Sequence, residues 1–398
     1  MLAYLARQGH EICVLQEDRK YPKTREVRDF FRVPGDGIQT LWYNPARGVE
    51  KLLTFPVDRL VRRSPYRGNL GHRMWMIRVA AKQFRPDVVY CSEGFGYGVP
   101  AALLKRLGLL KPALVVQSIG GDFCDEVAAD YGTRRTRVSR WLLNQVLRHS
   151  TVLKPVSPLL ADIMREMGAD DRKIQISPSH LVAAQSVLDH LYEQRAELGL
   201  TFRRRYSIPS DAPVIISLSG NWMGKGTQFI AEAWPKIREA VPGCCWILAG
   251  PQPAWFVQNV KPLVDRYPEE IVQTGGLHGE DVFHALVAAD LNVNPTLADG
   301  LNMVVVEAAA VGTPSISTDK AGITDWVGQC KPNLVLPAGN VHALTAEVVA
   351  YFQQPISSRL ALGQVFRAMS TQFCMERLGV VLTEIWVDAQ IKNAKHAL

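Results

Sequence analysis

The stretch NPTLADGLNMVVVEAAAVGTP, residues 294–314, indicates the fold of the second half of the chain. It begins at the end of an apolar run of strand length, 291–294, passes through a polar loop and continues as an apolar segment of helical length, 302–311. A strand that leads through a loop into a helix is the repeating unit of a parallel α/β sheet. We therefore predict that this loop lies at the carboxyl edge of such a sheet, where ligands bind.

Two carboxylates belong to this segment. Asp299 precedes the predicted helix, where its side chain is placed either to cap the helix or to accept a hydrogen bond from a ligand hydroxyl. Glu307 follows eight residues later, about two helical turns on, among apolar residues that make an unpartnered carboxylate costly to bury. A buried acid with a protein partner is the structural alternative for Glu307. Combined with the loop, the pair favours one polyhydroxylated ligand that lies along the helix.

The same alternation of strands and helices extends along most of the chain. Strands are predicted at 12–16, 88–91, 114–118, 151–155, 214–218, 244–248, 271–273, 291–294, 315–318 and 334–336. Helices are predicted near 70–84, 97–107, 135–149, 158–168, 227–240, 256–266, 280–289, 302–311 and 341–354. This pattern predicts an α/β protein with two Rossmann-like domains, 1–180 and 206–370, joined by a helical linker over 181–205. Residues 371–398 are expected to form a helix that packs back toward the first domain.

The start of the chain differs from that scheme. Residues 2–8 have the pattern of the last turns of a helix, and Gly9 and His10 lead into the first predicted strand. A Rossmann-type sheet normally begins with a strand and a Gly-rich turn before its first helix. We therefore expect a first domain without its opening strand and Gly-rich loop, either because the start is truncated or because the domain is built that way.

A second candidate loop follows the predicted strand 214–218. It has the sequence SGNWMGKGT over 219–227, whose glycines let a backbone approach a phosphate and whose Lys225 supplies a positive charge. A P-loop needs four residues between its glycines and a Ser or Thr after the Lys, and this loop has neither. A diphosphate loop of another kind and a solvated lysine on a tight turn remain as alternatives.

Composition and charge limit the class of protein. With 47% hydrophobic and 21% charged residues, the chain has the composition of a globular protein and not of a disordered or fibrous one. Residues 1–180 carry 29 basic against 18 acidic residues, and 181–398 carry 16 against 20, so the first half is basic. A basic half predicts anionic partners or, as the alternative, only a solvated surface. Seven cysteines without a CxxC pair favour reduced thiols in a cytoplasmic protein.

The segment 294–327 resembles the acid-x7-Glu signature of the retaining GT-B glycosyltransferases of family 4. The matching positions, in order and with the family's spacing, are Asn294, Pro295, Thr296, Gly300, Glu307, Ala308, Gly312, Thr313, Pro314, Ala321 and Gly322. The loop with Lys225 and Gly226 fits as well, and so does LARQGHEICVL at 5–15. The similarity extends over nearly the whole chain.

The resemblance implies two Rossmann-like domains that face a cleft, and no metal or other cofactor. The donor, a UDP- or GDP-sugar, would be held mainly by the C-terminal domain, with Glu307 on the ribose, Asp299 on the transferred sugar and Lys225 on the diphosphate. The catalytic residues would then be Asp299, Glu307 and Lys225. The donor-binding set implied in this way is Gly220, Asn221, Lys225, Leu277, Asp299, Gly300, Leu301, Asn302, Met303 and Glu307. The acceptor-side set is Glu93, Gly120, Gly121 and Asp122.

Several positions depart from the family pattern. The first acid is Asp299 where the family usually has Glu, Leu301 replaces a Phe, and Asn302 replaces a Gly. Gly220 stands where an Arg normally completes the diphosphate clamp, with Asn221 as the polar residue beside it. The expected activity is retaining transfer of a hexose to a glycan or lipid-linked acceptor. The alternatives are an impaired GT-B protein that serves as a binding or scaffold subunit, and a nucleotide-sugar epimerase.

A basic segment of the first half predicts a further partner. It contains Arg59, Arg62, Arg63, Arg67, Arg73, Arg78, Lys82 and Arg85 among apolar and aromatic residues. Such a segment fits peripheral contact with an anionic membrane at the inner face of the cell, or a lipid-linked acceptor. A solvated helix face is the structural alternative. Nucleic acid is not expected as a partner, because none of its usual recognition motifs is present.

Overall fold

The computed structural model describes residues 1–17, 38–43 and 70–395 of the 398-residue chain. The chain forms two compact units. Unit 1 comprises Met1–Asp125, Gly132–Ser177 and Glu376–Leu398, and unit 2 comprises Glu126–Tyr131 and Pro178–Met375. The strands of the described sheets all pair in parallel, which confirms the predicted α/β class.

The elements of unit 1 come first along the chain. They are α1 (Leu2–Arg7), β1 (Ile12–Glu17), β2 (Ile38–Tyr43), α2 (Leu70–Phe84), β3 (Val88–Cys91), α3 (Val99–Arg106), β4 (Ala113–Ser118), α4 (Arg137–His149), β5 (Val152–Pro155) and α5 (Pro158–Glu166). Strands β1 and β2 form one parallel pair, and β3, β4 and β5 form a three-stranded sheet in that order. Apolar residues of β4, among them Leu114 and Val116, pack with Val146 of α4 in the core.

Unit 2 continues the chain from α6 to α15. Its elements are α6 (Gln185–Glu193), α7 (Arg195–Arg205), β6 (Val214–Leu218), α8 (Thr227–Ala240), β7 (Cys245–Ala249), α9 (Ala254–Asn259), α10 (Lys261–Val264), β8 (Ile271–Gly275), α11 (Glu280–Ala288), β9 (Leu291–Val293), α12 (Met303–Ala310), β10 (Ser315–Thr318), α13 (Thr324–Cys330), β11 (Val335–Leu336), α14 (Val341–Gln353) and α15 (Ile356–Ser370). The last helix, α16 (Met375–Lys395), returns to unit 1, where Ile385 and Ala389 pack against Ala113 and Val115 of β4.

The strand order of unit 2 determines where a ligand can bind. The six parallel strands lie in the order β11-β10-β9-β6-β7-β8, which is the doubly wound Rossmann order. Successive strands are added on one side of β6 up to β8, and then on its other side from β9. The order therefore reverses between β6 and β9, and the loops that follow these two strands flank the crevice where such sheets bind ligands.

The structure also differs from the sequence-based expectation in several elements. The helix predicted over 256–266 is two helices, because Pro262 lacks an N–H and its ring disfavours a continuous helix. Strand β2 and helices α13 and α15 were not predicted. The linker expected over 181–205 is helical, as predicted, and contains α6 and α7, but Leu191 and Phe202 from these helices are buried in the core of unit 2. The division between the units falls at Ser177 and Pro178.

Candidate functional site

The loops after β6 and β9 are joined by hydrogen bonds at the reversal point of the unit 2 sheet. The Leu297 N–H and the Thr296 Oγ1 hydroxyl each donate to the Gly224 carbonyl, at 2.8 Å. Gly226 has a φ of +76°, and a Cβ at this position would lie 1.9 Å from the Pro295 carbonyl oxygen. Only glycine allows the two loops to approach this closely, so Gly226 is required by the packing of the site.

Lys225 and Asp299, one from each loop, form an ion pair. The Lys225 Nζ lies 2.5 Å from Asp299 Oδ2, and the side chains are only 22% and 16% exposed. The other oxygen, Asp299 Oδ1, accepts hydrogen bonds from the N–H groups of Leu301 at 3.2 Å and Asn302 at 2.9 Å. The Asp299 carboxylate therefore occupies a position where one ammonium group and two backbone amides converge. Such a set of donors has the chemistry to hold an anionic group, which in this structure is the Asp299 carboxylate.

Asn302 shows why the loop tolerates a departure from the family pattern. Its φ is +75°, in the left-handed region, and asparagine is the residue other than glycine that most readily adopts this conformation. The side chain is buried, and its Nδ2 donates to Asn294 Oδ1 at 2.8 Å. The residue that replaces a glycine thus keeps the turn before α12 and fastens it to the end of β9.

Glu307 lies on α12, about two turns after the anion position, and differs from Asp299 in having no partner among the described residues. Among the residues that the structure describes, none donates a hydrogen bond to its carboxylate or forms an ion pair with it. Burial alone raises the pKa of Glu307 to about 7. The structural alternative, a buried acid satisfied within the protein, is therefore not observed here. A half-buried carboxylate of this kind is available to accept hydrogen bonds from ligand hydroxyls.

Several other side chains of the predicted donor set are used within unit 2 itself. Asn221 is buried, with Oδ1 accepting from Ser219 Oγ and Thr227 Oγ1 and Nδ2 donating to the Pro251 carbonyl. Leu301 is buried as well, and Leu277 packs against the core of unit 2. These side chains shape the loops, which leaves their backbones as the parts available to a ligand. Gly220, Gly300 and Met303 lie in the same two loops or at the start of α12.

Two aromatic residues at the site were not predicted. The Trp222 ring has its centroid 5.9 Å from Lys225 Nζ, and the Tyr131 ring stacks on it with centroids 5.8 Å apart. Trp222 lies in the same Gly-rich loop as Lys225, so a cation–π contact between them could have been predicted from the sequence. Tyr131 comes from the short segment Glu126–Tyr131, which belongs to unit 2 although it lies in the first half of the chain. No sequence spacing connects that segment with the loop after β6.

Unit 1 brings its predicted acceptor-side residues together as well. Asp122 Oδ2 accepts from the Gly94 N–H at 2.7 Å, and Oδ1 accepts from Ser118 Oγ, the Gly120 N–H and the Phe123 N–H. This carboxylate is 4% exposed, and burial raises its pKa against the opposing effect of these hydrogen bonds. Asp122 thus ties the loop after β4, with Gly121, to the turn after β3.

Glu93 begins that turn, where the sequence GFGYG forms a wide π-helical turn over Gly94–Gly98. The carboxylate caps the turn by accepting from the N–H groups of Phe95 at 3.1 Å and Tyr97 at 2.9 Å. Burial and, after it, the nearby Asp122 raise the pKa of Glu93. Both predicted acceptor-side acids therefore have protein partners in this structure.

The remaining predictions concern metals, membranes and the basic segment. In the described part of the chain, no group of three or more His, Cys, Asp or Glu residues is arranged to hold a metal ion. No helix described here has the length and apolar character needed to cross a bilayer.

The predicted basic segment is only partly covered by the structure. Four of its arginines lie outside the described residues: Arg59, Arg62, Arg63 and Arg67. Arg73 is used within unit 1, where its Nη1 donates to the Gly96 carbonyl at 2.9 Å.

Solved structures of low sequence identity share this fold. A glycosyltransferase from Rickettsia africae ESF-5 superposes with a TM-score of 0.71 at 14% identity, over 98% of this chain and 92% of that one. Anabaena Alr3699/HepE, solved in complex with UDP-glucose, gives a TM-score of 0.65 at 15% identity, over 94% and 98% of the two chains. The two parallel-sheet units and these likenesses define a protein of the GT-B class, as the sequence predicted.

Sequence comparison identifies the family. The model described as "Glycosyl transferase 4-like domain" matches residues 1–179, and the one described as "Glycosyl transferases group 1" matches 212–354. The chain belongs to the family 4 glycosyltransferases, which confirms the resemblance drawn from the acid-x7-Glu segment. The putative colanic acid biosynthesis glycosyltransferase WcaL of Escherichia coli K12 is 25% identical over 69% of this chain and 63% of its own length. The chain thus spans less than two thirds of that relative.

Proposed function

We propose that this protein transfers a hexose from a UDP- or GDP-sugar to a glycan or lipid-linked acceptor with retention of configuration. One observation carries the proposal: Lys225 and two amides converge on an anion position, and Glu307, to which no described residue donates, lies about two turns further along α12. A nucleotide sugar supplies both parts that this arrangement lacks, a diphosphate and the hydroxyls of a ribose. The relative named for colanic acid biosynthesis and the fold neighbour solved with UDP-glucose support this class of donor.

The donor would bind by replacing the Asp299 carboxylate at the anion position. The diphosphate would then accept hydrogen bonds from Lys225 Nζ and the amides of Leu301 and Asn302, while Glu307 would accept from the ribose hydroxyls. Released from Lys225, Asp299 would be free to contact the transferred sugar. The negative charge of the departing diphosphate would be stabilised by the ammonium group and the start of α12, which makes electrostatic stabilisation the main catalytic effect. We propose that this chemistry needs no metal ion.

For the acceptor side, we propose the turn at Glu93 and the loop over 120–122 of unit 1. Because Asp122 is fully used within the protein, its role would be to hold the loop, with the partly exposed Gly96 and Tyr97 of the turn left for the acceptor.

We also propose peripheral contact with an anionic membrane at the cytoplasmic face, through helix α4 of unit 1. Residues 131–161 contain no Asp or Glu, and the exposed residues of α4 include Arg137, Arg140 and Arg148. Val138 and Trp141 are about half exposed among these arginines. Exposed apolar side chains between arginines suit the interface of an anionic lipid surface. Sedimentation with phosphatidylglycerol vesicles should decrease for Trp141→Ser, whereas binding unchanged by that substitution would argue for a solvated face only.

The proposed activity is tested with purified protein, UDP-glucose and GDP-mannose as donors, and an anomeric assignment of the product by NMR. Full activity of the double variant Lys225→Ala, Glu307→Ala would contradict the proposal. Binding of UDP or GDP without hydrolysis or transfer would support the scaffold alternative. Conversion of the donor sugar to an epimer without an added acceptor would support the epimerase alternative.

A further inference from the structure

A cavity of about 420 Å³ lies in unit 2 at the edge of the sheet opposite the candidate donor site. Its lining includes Pro213, Asp290 and Pro314, which immediately precede β6, β9 and β10. The loops of the donor site follow the other ends of the same sheet. Since β6 has five residues and a strand rises by about 3.3 Å per residue, the cavity is separated from those loops by the length of the strand. Its volume falls in the range of small-molecule sites.

The polar lining of the cavity includes three guanidinium groups. Arg195 and Arg203 come from α7 and Arg359 from α15, against the carboxylates of Asp211 and Asp290. Arg203 and Arg359 share Asp290, with nitrogen–oxygen distances of 3.4 and 3.8 Å. The lining therefore has an excess of one positive charge.

Two of the arginines have donors left over. Arg359 Nε is buried and has no hydrogen-bond partner in the described chain. A buried donor without an acceptor is unfavourable, which makes the site receptive to an anion. The Arg195 guanidinium lies 5.8 Å from the Tyr192 ring centroid, and no carboxylate among the described residues forms an ion pair with it. Guanidinium groups bind carboxylates and phosphates through paired N–H donors, so both arginines are suited to the charged group of a ligand.

The rim of the cavity is apolar. Leu200, Ile356 and Leu360 line it and are 37%, 66% and 53% exposed. Three exposed aliphatic side chains beside a guanidinium lining do not match the binding of a bare inorganic ion. They match a ligand in which an anionic group is attached to an apolar body.

We propose that this cavity binds a small organic anion, with a carboxylate or phosphate held by Arg195 and Arg359 and an apolar body against Leu200, Ile356 and Leu360. The site is distinct from the donor loops, and the proposal does not depend on the proposed transferase activity.

The test is calorimetric titration of the full chain, in excess UDP, with phenyl phosphate and with benzoate as probes for the two anionic groups. Inorganic phosphate and phenol serve as probes for charge alone and for the apolar body alone. We expect at least one of the two aryl anions to saturate, with binding at least about tenfold tighter than that of inorganic phosphate or phenol. Arg195→Gln should weaken it about tenfold. Its matched control is Arg204→Gln, an exposed arginine on the same helix that does not line the cavity.

A second variant, Leu200→Glu, places a negative charge on the rim at an exposed position and should also weaken binding. The proposal is overturned if neither aryl anion saturates, if inorganic phosphate or phenol binds as tightly, or if Arg204→Gln has the same effect as Arg195→Gln. Loss of binding in Lys225→Ala would also overturn it, because it would assign the aryl anion to the donor loops. Failure of UDP binding with intact aryl anion binding would count against the proposed donor site only.

Discussion

Glu307 of unit 2, which is half-buried, and Asp122 of unit 1, which is buried, both lie in segments that follow a strand of a parallel sheet, and they differ in their partners. Asp122 accepts four hydrogen bonds from its own unit, whereas no described residue donates to Glu307. Burial raises the pKa of both carboxyls. We therefore expect an acid of low exposure in such a segment to bind a ligand only where the protein leaves its oxygens without donors.

The largest effect is expected for the cation of the unit 2 site. Lys225→Ala removes the ammonium group that would stabilise the departing diphosphate, and loss of one such donor costs about 10²- to 10³-fold in turnover. Steady-state transfer rates with the preferred nucleotide sugar measure this loss. Lys236→Ala, an exposed lysine on α8, serves as the control and should keep the parental rate. A tenfold loss or less would mean that the charge at this position is not central to catalysis.

Changing Glu307 to its amide should stabilise unit 2 above neutral pH. The folded-state pKa of about 7 exceeds the ordinary value of 4.5, so the folded protein retains a proton that the unfolded chain has released. The free energy of unfolding therefore decreases as pH rises from about 4.5 to 7, by roughly 3 kcal/mol in total. Glu307→Gln removes that loss, and its advantage in urea unfolding should be large at pH 8 and small at pH 5. An advantage that is the same at both pH values would indicate that Glu307 has an ordinary pKa.

The same change in unit 1 should have the opposite sign. In Asp122→Asn one amide conformer turns its NH₂ toward the Gly94 N–H, and the other turns it toward three donors, so at least one buried donor loses its acceptor. The cost is about 1–3 kcal/mol. Hydrogen exchange of unit 1 amides measures it, and nucleotide affinity should not change. Unaltered protection of the loops after β3 and β4 would show that Asp122 is not the residue that holds them.

Donor affinity should depend on pH through Glu307. Its carboxylate, not its carboxylic acid, is the form that accepts two hydroxyl hydrogen bonds, so affinity for UDP-glucose or GDP-mannose should rise about tenfold between pH 6 and 8. A nucleotide sugar is the appropriate ligand because its diphosphate diester does not titrate in this range. Glu307→Gln should bind more weakly and with a flat profile. A parental profile in this variant would assign the titration to another group.

The smallest effect concerns the ion pair itself. Asp299→Asn removes the negative charge that competes with the diphosphate for Lys225. We expect UDP to bind about fivefold more tightly, because the ion pair that UDP has to break is worth about 1 kcal/mol. Transfer should decrease in the same variant, because Asp299 is proposed to contact the sugar. Tighter binding with undiminished transfer would show that Asp299 is not a catalytic residue and only occupies the anion position when no donor is bound.

The sequence predicts most of this fold because apolar runs of strand length alternate with segments of helical periodicity. Strands 88–91, 214–218 and 315–318 have the predicted bounds, and α8 begins and ends where its pattern does. Strand β2 was missed, because no clear alternation marks it. The split between α9 and α10 was missed because a single Pro262 interrupts an otherwise helical pattern.

The site was predictable to the extent that it lies within continuous segments. Lys225 and Asp299 lie in loops that the strand order places side by side, and Glu307 lies on the helix that follows the second loop. The stacking of Tyr131 on Trp222 arises because the segment Glu126–Tyr131, from the first half of the chain, belongs to unit 2. No local sequence pattern predicts such a contact. Likewise, the sequence predicts Asn221 as a donor-binding residue, because it does not reveal that the side-chain amide forms hydrogen bonds with Ser219, Thr227 and Pro251.

The most direct test of the central claim, that the loops after β6 and β9 hold a nucleotide sugar through Lys225 and Glu307, is a calorimetric titration at pH 8. UDP-glucose and GDP-mannose are each titrated into the parental chain, Glu307→Gln and Asp122→Asn. One of the two donors should bind the parental chain and Asp122→Asn alike, and should bind Glu307→Gln at least tenfold more weakly. Equal affinity for the parental chain and Glu307→Gln, or a loss confined to Asp122→Asn, would contradict that claim.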